Sequence, residues 1–172
     1  MSVEIERKFL VRSDAWRGKA DGGQQLCQGY VAHGGPSSVR VRLAGQGHAL
    51  KAWLTVKGTG TGLSRPEFEY EIPVAEAREM LSNFCTSLLT KTRYRVRHDG
   101  MIWEVDVFDG HAQGLVLAEV ELSDVDQIVT LPSWVGREVT HDPRYRNSAI
   151  LQSLPPEQTE VIAGSAIRPF IL

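Results

Sequence analysis

Glu4, Glu6 and Lys8 begin a pattern that runs through the chain: charge at every second position, with apolar or aromatic residues between. Period two is the period of a β-strand, whose successive side chains point to opposite faces. The pattern returns at Arg40 and Arg42, at Lys51 and Lys57, and at Glu67, Glu69 and Glu71. It returns again at Lys91, Arg93, Arg95 and Arg97, at Glu104 and Asp106, and at Glu119 and Glu121. A charge run ordinarily marks a solvated face, and such faces mix the two signs. Here each strand tends towards one sign. Like charges at i and i+2 share a face and repel. The arrangement makes sense if acidic strands oppose basic ones, or if a metal and a polyanion neutralise them.

Strands of this kind are expected at residues 3–10, 24–32, 39–43, 49–57, 67–72, 88–96, 101–108 and 115–122, with Gly34-Gly35-Pro36 and Gly45-Gln46-Gly47 as turns. Ser13 and Asp14 are placed to cap a short helical turn. Residues 74–84 change period: Ala77, Met80, Leu81 and Phe84 have helical spacing. Residues 131–139 show no clear period, and 147–154 read as a short helix ended by Pro155-Pro156. The expected fold is α+β: an antiparallel, closed or nearly closed β-barrel of about eight strands with a few flanking helices. Closure also removes the edges that so many strands would otherwise expose. One domain over residues 1–154 is expected, followed by a tail at 155–172. The charged series should point into one lumen, with Val39, Val41, Phe68, Tyr70, Val105 and Val120 packed outside it against helices.

Composition narrows the function classes. The 172 residues suit one domain. The 19 Lys and Arg against 21 Asp and Glu give a net charge of −2, unlike the basic balance of a nucleic-acid protein. No apolar run is long enough for a membrane span, and the N-terminal alternation is not that of a signal peptide. Cys27 and Cys85 form no CxxC, so neither a zinc site nor a disulfide framework is expected. A reducing cytoplasm is the expected setting.

The segregated charges point to one chemistry. A short polyphosphate needs cations along its length. Arg grips phosphate oxygens with a planar fork, and Lys supplies a compact point charge. Mg²⁺ or Mn²⁺ needs hard oxygen ligands from grouped carboxylates. A metal-bound water beside another carboxylate can attack a terminal phosphorus.

Glu4-x-Glu6-x-Lys8 resembles the ExExK signature of the CYTH, or triphosphate tunnel metalloenzyme, family. The resemblance continues in order through Val39-Arg40-Val41-Arg42, Leu54-Thr55-Val56-Lys57-Gly58, Arg65-Pro66-Glu67-Phe68-Glu69-Tyr70-Glu71 and Lys91-Thr92-Arg93-Tyr94. Trp103-Glu104-Val105-Asp106, Ala118-Glu119-Val120-Glu121-Leu122, Gly136-x-Glu138-Val139-Thr140 and Tyr145-x-Asn147 extend it. The resemblance implies a tunnel of antiparallel strands binding triphosphate along its axis. It implies phosphate contacts from Lys8, Arg40, Arg42, Lys57, Lys91 and Arg93, and a principal divalent metal (Mg²⁺ or Mn²⁺) on Glu119 and Glu121. It further implies that Glu4 and Glu6 hold a second metal or position the attacking water. Glu4, Glu6 and Lys91 then form the catalytic set, and Glu67, Glu69 and Asp106 support it. Arg65 belongs at the rim. A homodimer is a further expectation from the resemblance; no nucleic acid or membrane partner is expected.

The compact chain resembles the small bacterial tripolyphosphatases, so hydrolysis of inorganic triphosphate is the favoured activity. Nucleoside or thiamine triphosphate hydrolysis, class IV-type adenylate cyclisation and non-catalytic polyphosphate binding remain the alternatives. The acidic set argues against binding alone, which needs mainly cations. Other features point elsewhere than to chemistry. Residues 58–62 lack GxxxxGK[ST] spacing and read as a hairpin tip. The five histidines share no ligand spacing. Tyr30 reads as a tunnel or core aromatic, Lys51 as exposed, and the cysteines as small buried residues.

Overall fold

The computed structural model describes residues 3–60 and 64–152. Nine strands follow the expected order: β1 (Val3–Val11), β2 (Gln24–Ala32), β3 (Ser37–Ala44), β4 (Lys51–Gly58), β5 (Ser64–Ile72), β6 (Leu89–His98), β7 (Met101–Phe108), β8 (Val116–Glu121) and β9 (Val135–Glu138). Two helices, α1 (Val74–Phe84) and α2 (Asn147–Ile150), and several 3-10 turns complete it. The expected tail at 155–172 and the end of the expected helix at 147–154 lie outside the described residues.

The strands form one antiparallel sheet in the order β5-β4-β3-β2-β6-β7-β8-β1, and a β1–β5 pairing closes it into an eight-stranded barrel. That seam is short. β1 pairs with β5 only from Val3 to Ile5, against Pro66 to Ser64. From Phe9 to Val11 the same edge of β1 is taken by β9, which lies outside the barrel. Residues 131–139, without a clear period in the sequence, supply this ninth strand.

The cover over β5 departs from expectation. Phe68 and Tyr70 were expected to pack outside the barrel against helices, yet they are 43% and 57% exposed. An edge of β1 can serve only one strand at a time, and past Ile5 it turns to β9. Among the described residues, Phe68 to Ile72 then pair only with β4. The covering helix α1 lies over β2, β3 and β4 instead.

The rest of the outward phase is packed. Val41, Leu43, Ala52 and Cys27 meet Ala77 and Leu81 of α1. Gly29 allows that approach: a Cβ there would lie 2.7 Å from the Cys85 sulfur at the end of α1. On the opposite wall Val105, Val120, Val96 and Phe9 pack with Trp16, Trp103 and Trp134. The Phe9–Trp103 and Trp103–Trp134 ring centroids are 5.5 and 5.7 Å apart. Each such buried side chain contributes about 1.5–3 kcal/mol, so both walls are anchored from outside while the inward phase is left free for charge.

A third apolar cluster occupies the inward phase at one end. Leu10, Leu89, Phe108 and Leu117 continue the charged phase of β1, β6, β7 and β8, and they pack against Tyr145, Ile150 and Leu151. The 3-10 turn Pro143–Tyr145 and α2 thus stopper that end of the barrel, with the Asp142 side chain accepting from the Arg144 N–H at the turn's start. The lumen is blind there and floored with hydrocarbon.

Candidate active site

Strand register brings the charged series together. Lys8 lies opposite Glu119, Glu6 opposite Glu121, and Glu104 opposite Glu119. Arg93 lies opposite Asp106, and Lys57 opposite Glu67. Residues directly opposed on antiparallel strands share a face, so all of these point inward together. A single-sign strand that repels itself is neutralised by its neighbour.

Three linked groups of ion pairs result. In the first, the Lys57 ammonium meets Glu4 at 2.8 Å and Glu67 at 2.8 Å, and Arg65 donates to Glu4 at 2.7 Å and Glu6 at 3.5 Å. In the second, Arg42 and Arg40 share Glu69, at 3.0 and 3.5 Å, and Thr55 donates to the same carboxylate at 2.8 Å. In the third, Lys8 binds Glu119 at 2.8 Å. Arg93 holds Asp106 through two nitrogens, at 2.6 and 2.7 Å, Glu119 at 2.8 Å, and also Glu104. Lys91 pairs with Asp106 while its ammonium lies 5.2 Å from the Phe108 ring centre.

Burial sets how these charges behave. Lys8, Arg40, Lys57, Lys91, Asp106 and Glu119 are all buried. Burial alone raises a carboxylate, but Lys8, Arg93 and Lys91 outweigh it at Glu119 and hold that group well below the usual range. Arg93 and Lys91 do the same for Asp106. At Glu4, Lys57 and Arg65 overcome burial and bring the carboxyl down to about 2. Glu6 goes the other way: burial first, then the Glu119 carboxylate, push it up. Lys91 is pulled down to about 8, because burial outweighs its Asp106 partner. Arg42 is lowered by burial and then by Arg40.

Every basic residue expected at the site is in the lumen, and so are Glu4, Glu6, Glu67, Glu69, Asp106, Glu119 and Glu121. They differ in commitment. Glu121 is exposed and makes no ion pair among the described residues, whereas Glu119 is tied to two cations. Glu71 and Arg95 share the alternation but are exposed, and Lys51 reaches Glu71 at 3.2 Å. Arg65, expected at the rim, engages Glu4 and Glu6 directly. Thr55 was missed because attention to charge passes over a hydroxyl; its shared phase with Lys57 was the available signal.

Among the described residues, no three acidic, His or Cys side chains are gathered around one point as a finished metal cage. The donor set nevertheless suits a hard dication. Mg²⁺ commonly takes one or two carboxylates and fills its other positions with water and phosphate oxygen. Glu119 and Glu121 lie on one face of β8, with Glu6 directly opposite Glu121, so three carboxylates share one stretch of the wall.

Known proteins share this architecture. An inorganic triphosphatase of Acetivibrio thermocellus is 47% identical over 154 residues, 89% of this chain and 96% of its own length. One of Nitrosomonas europaea is 39% identical over 159 residues, 89% of this chain and 99% of its own. The crystal structure of the inorganic triphosphatase NE1496 superposes with a TM-score of 0.63 at 34% identity, covering 90% of this chain and 98% of that one. With the CYTH domain profile matching residues 2–149, the chain belongs to the CYTH domain family.

Proposed function

We propose that this chain is an inorganic triphosphatase that hydrolyses a phosphoanhydride bond of tripolyphosphate with the help of Mg²⁺ or Mn²⁺. The observation that carries the reading is the lumen itself. Lys8, Arg40, Arg42, Lys57, Lys91 and Arg93 converge in a barrel whose inner end is stoppered by Leu10, Leu89, Phe108 and Leu117. A short linear polyanion matches that cationic wall, and the hydrocarbon floor offers its far end nothing polar to continue into. The relatives named inorganic triphosphatase support the same substrate.

Glu119 and Glu121 would hold the principal metal, and Glu4 and Glu6 a second metal or the attacking water. The bound dication would neutralise phosphate charge and acidify a coordinated water. The chain's own side chains do the rest. The arginines orient the phosphates through multidentate contacts. Glu67, Glu69 and Asp106 hold the cations in place before substrate arrives. Lys91, whose amine burial lowers to about 8, would accept a proton. We take residues 1–154 as one catalytic domain in a cytoplasmic setting, working as a homodimer.

A nucleoside triphosphate is the second reading, favoured by Trp53, half-buried in the inward phase of β4 opposite Arg42. The Arg42 guanidinium lies 5.3 Å from that ring's centre, so one stacking face is already covered. The test is phosphate release from tripolyphosphate, ATP and thiamine triphosphate, with and without Mg²⁺ or Mn²⁺. Turnover of tripolyphosphate well above the organic substrates, and only with metal, is expected. A preference for ATP, or metal-independent release, would overturn the reading.

A further inference from the structure

Gln28 sits in the wall of the lumen with its amide unpaired among the described residues. It belongs to the inward phase of β2: its neighbours Cys27 and Gly29 face α1, and Tyr30, two residues on, joins the lumen floor. Gln28 is 1% exposed, and among the described residues neither its amide nitrogen nor its amide oxygen has a hydrogen-bond partner. A primary amide offers two donors and an acceptor with two lone pairs, so leaving it unmet in a buried place is costly. The unmet Trp16 and Trp103 indoles are a different case, since each carries one donor on a large ring that packs in the outer core. A Gln of no use would be better replaced by Met, which has similar length and no polar atoms.

Its surroundings indicate what it meets. Gln28 lies directly opposite Arg42 on β3 and directly opposite Leu89 on β6, with Lys91 two residues further along that strand. Directly opposed residues have Cβ atoms about 4.5–5.5 Å apart, within side-chain reach. The Nε of Arg42 is itself buried without a hydrogen-bond partner, while its terminal nitrogen is taken by Glu69. Phosphate oxygens only accept, so they can satisfy the amide N–H groups but not the amide oxygen. An unmet donor for that oxygen stands directly across the strand pair, at Arg42 Nε.

We propose that Gln28 is a further substrate-binding residue: its Nε2 donates to a phosphoryl oxygen of tripolyphosphate, and its Oε1 accepts from Arg42 Nε, so that amide and guanidinium grip the same phosphate. This rests on the triphosphatase reading. A neutral donor at this point adds a directed bond without adding to the repulsion among the lumen cations. It also gives Arg42, whose hydrogen bonds among the described residues run through one terminal nitrogen to Glu69, a second bond at its Nε edge.

The experiment compares the parent with Gln28→Met and Gln28→Glu. It measures steady-state hydrolysis of tripolyphosphate at saturating Mg²⁺, and melting with and without tripolyphosphate in the absence of metal. For Gln28→Met the expected result is a KM raised about tenfold, a smaller change in kcat, an unliganded Tm equal to or above the parent's, and a reduced ligand-induced shift. Gln28→Glu keeps the shape and adds a negative charge beside phosphate, so its KM should rise further. A folded Gln28→Met with the parent's KM and ligand shift overturns the proposal. Should Gln28→Met fail to fold, a Gln28→Glu that binds tripolyphosphate as the parent does overturns it equally. A parent that neither binds nor hydrolyses tripolyphosphate overturns both this proposal and the reading beneath it.

Discussion

The Lys8 ammonium and the Glu119 carboxylate meet at 2.8 Å across the β1–β8 pair, and the same ammonium donates to the Tyr145 backbone oxygen at 3.3 Å. One buried cation therefore links the acidic wall to the segment that stoppers the barrel. Glu119 is in turn shared with Arg93. Its carboxylate serves two masters: it balances Lys8 and Arg93, and it is the expected ligand of the principal metal.

That double duty separates Glu119 from Glu121. Glu119→Gln takes away the ion-pair partner of the buried Lys8 and one of the three carboxylates around Arg93; breaking such a buried pair typically costs about 3–5 kcal/mol. Glu121 is exposed and carries no ion pair among the described residues, so Glu121→Gln should change folding stability by less than about 0.5 kcal/mol. Both variants should lose most metal-dependent turnover. Urea unfolding beside phosphate release checks this. Equal stability losses, or normal turnover of either variant at limiting Mg²⁺, would refute the assignment.

Arg42 should show the opposite balance. Its guanidinium is disfavoured by burial and by Arg40 nearby, though it gains Glu69 at 3.0 Å. Arg42→Ala relieves that repulsion while losing the Glu69 contact, so the unliganded protein should melt near the parent's temperature. The tripolyphosphate-induced shift should fall sharply, since a lost contact to a desolvated charge costs about 2–5 kcal/mol of binding. A variant with lowered unliganded stability and an undiminished shift would make Arg42 structural.

Legibility followed periodicity. Charge at every second residue was enough to place Lys8, Arg40, Lys57, Lys91 and Glu119 on one inward face, because a strand has only two faces and the other was apolar. Helical spacing gave α1 over the very residues it occupies. What alternation cannot carry is which strand neighbours which edge. Nor can it say which outward face a helix will cover: α1 packs over β2, β3 and β4, and so Phe68 and Tyr70 of β5, apolar and in the outward phase, end up exposed. The floor was hidden for a related reason. Leu10, Leu89, Phe108 and Leu117 continue the charged phase as hydrocarbon, and only the return of residues 143–150 shows that they line a closed end. Gln28 and Thr55 needed the register before their neutral groups could be placed among ions.

The floor can be tested through Ile150. It is fully buried against the lumen's apolar end, on the short helix following Tyr145. Ile150→Ala should cost about 2–5 kcal/mol, the usual range for truncating a buried aliphatic. Turnover should fall as well, because the Tyr145 oxygen that receives the Lys8 ammonium belongs to the same stopper. Urea melts and tripolyphosphate kinetics read the two effects. A loss of stability with fully normal kinetics would show that the stopper only seals and does not hold Lys8.

Lys91 gives a prediction in pH. Burial brings its amine from the ordinary 10.5 to about 8 despite the Asp106 partner. Between those two values the unfolded chain holds a proton on this side chain that the folded chain has released. The unfolded state then binds more protons, so this group's contribution makes stability rise with pH across that window and leaves it flat below about 8. The same ionisation should govern catalysis. A lysine that accepts a proton acts only when neutral, so kcat/KM for tripolyphosphate, which reports the free enzyme, should climb up to tenfold per pH unit below about 8 and level off above it. Lys91→Arg keeps a positive charge that cannot be shed near neutral pH. It should lose most activity and the rising limb with it. Lys91→Met should abolish turnover and also remove this group's part of the pH dependence of stability, which a purely substrate-gripping lysine shares. The kinetic limb therefore decides the matter. A kcat/KM that stays flat or falls as pH passes through 8 would mean that Lys91 works as a cation gripping phosphate and accepts no proton.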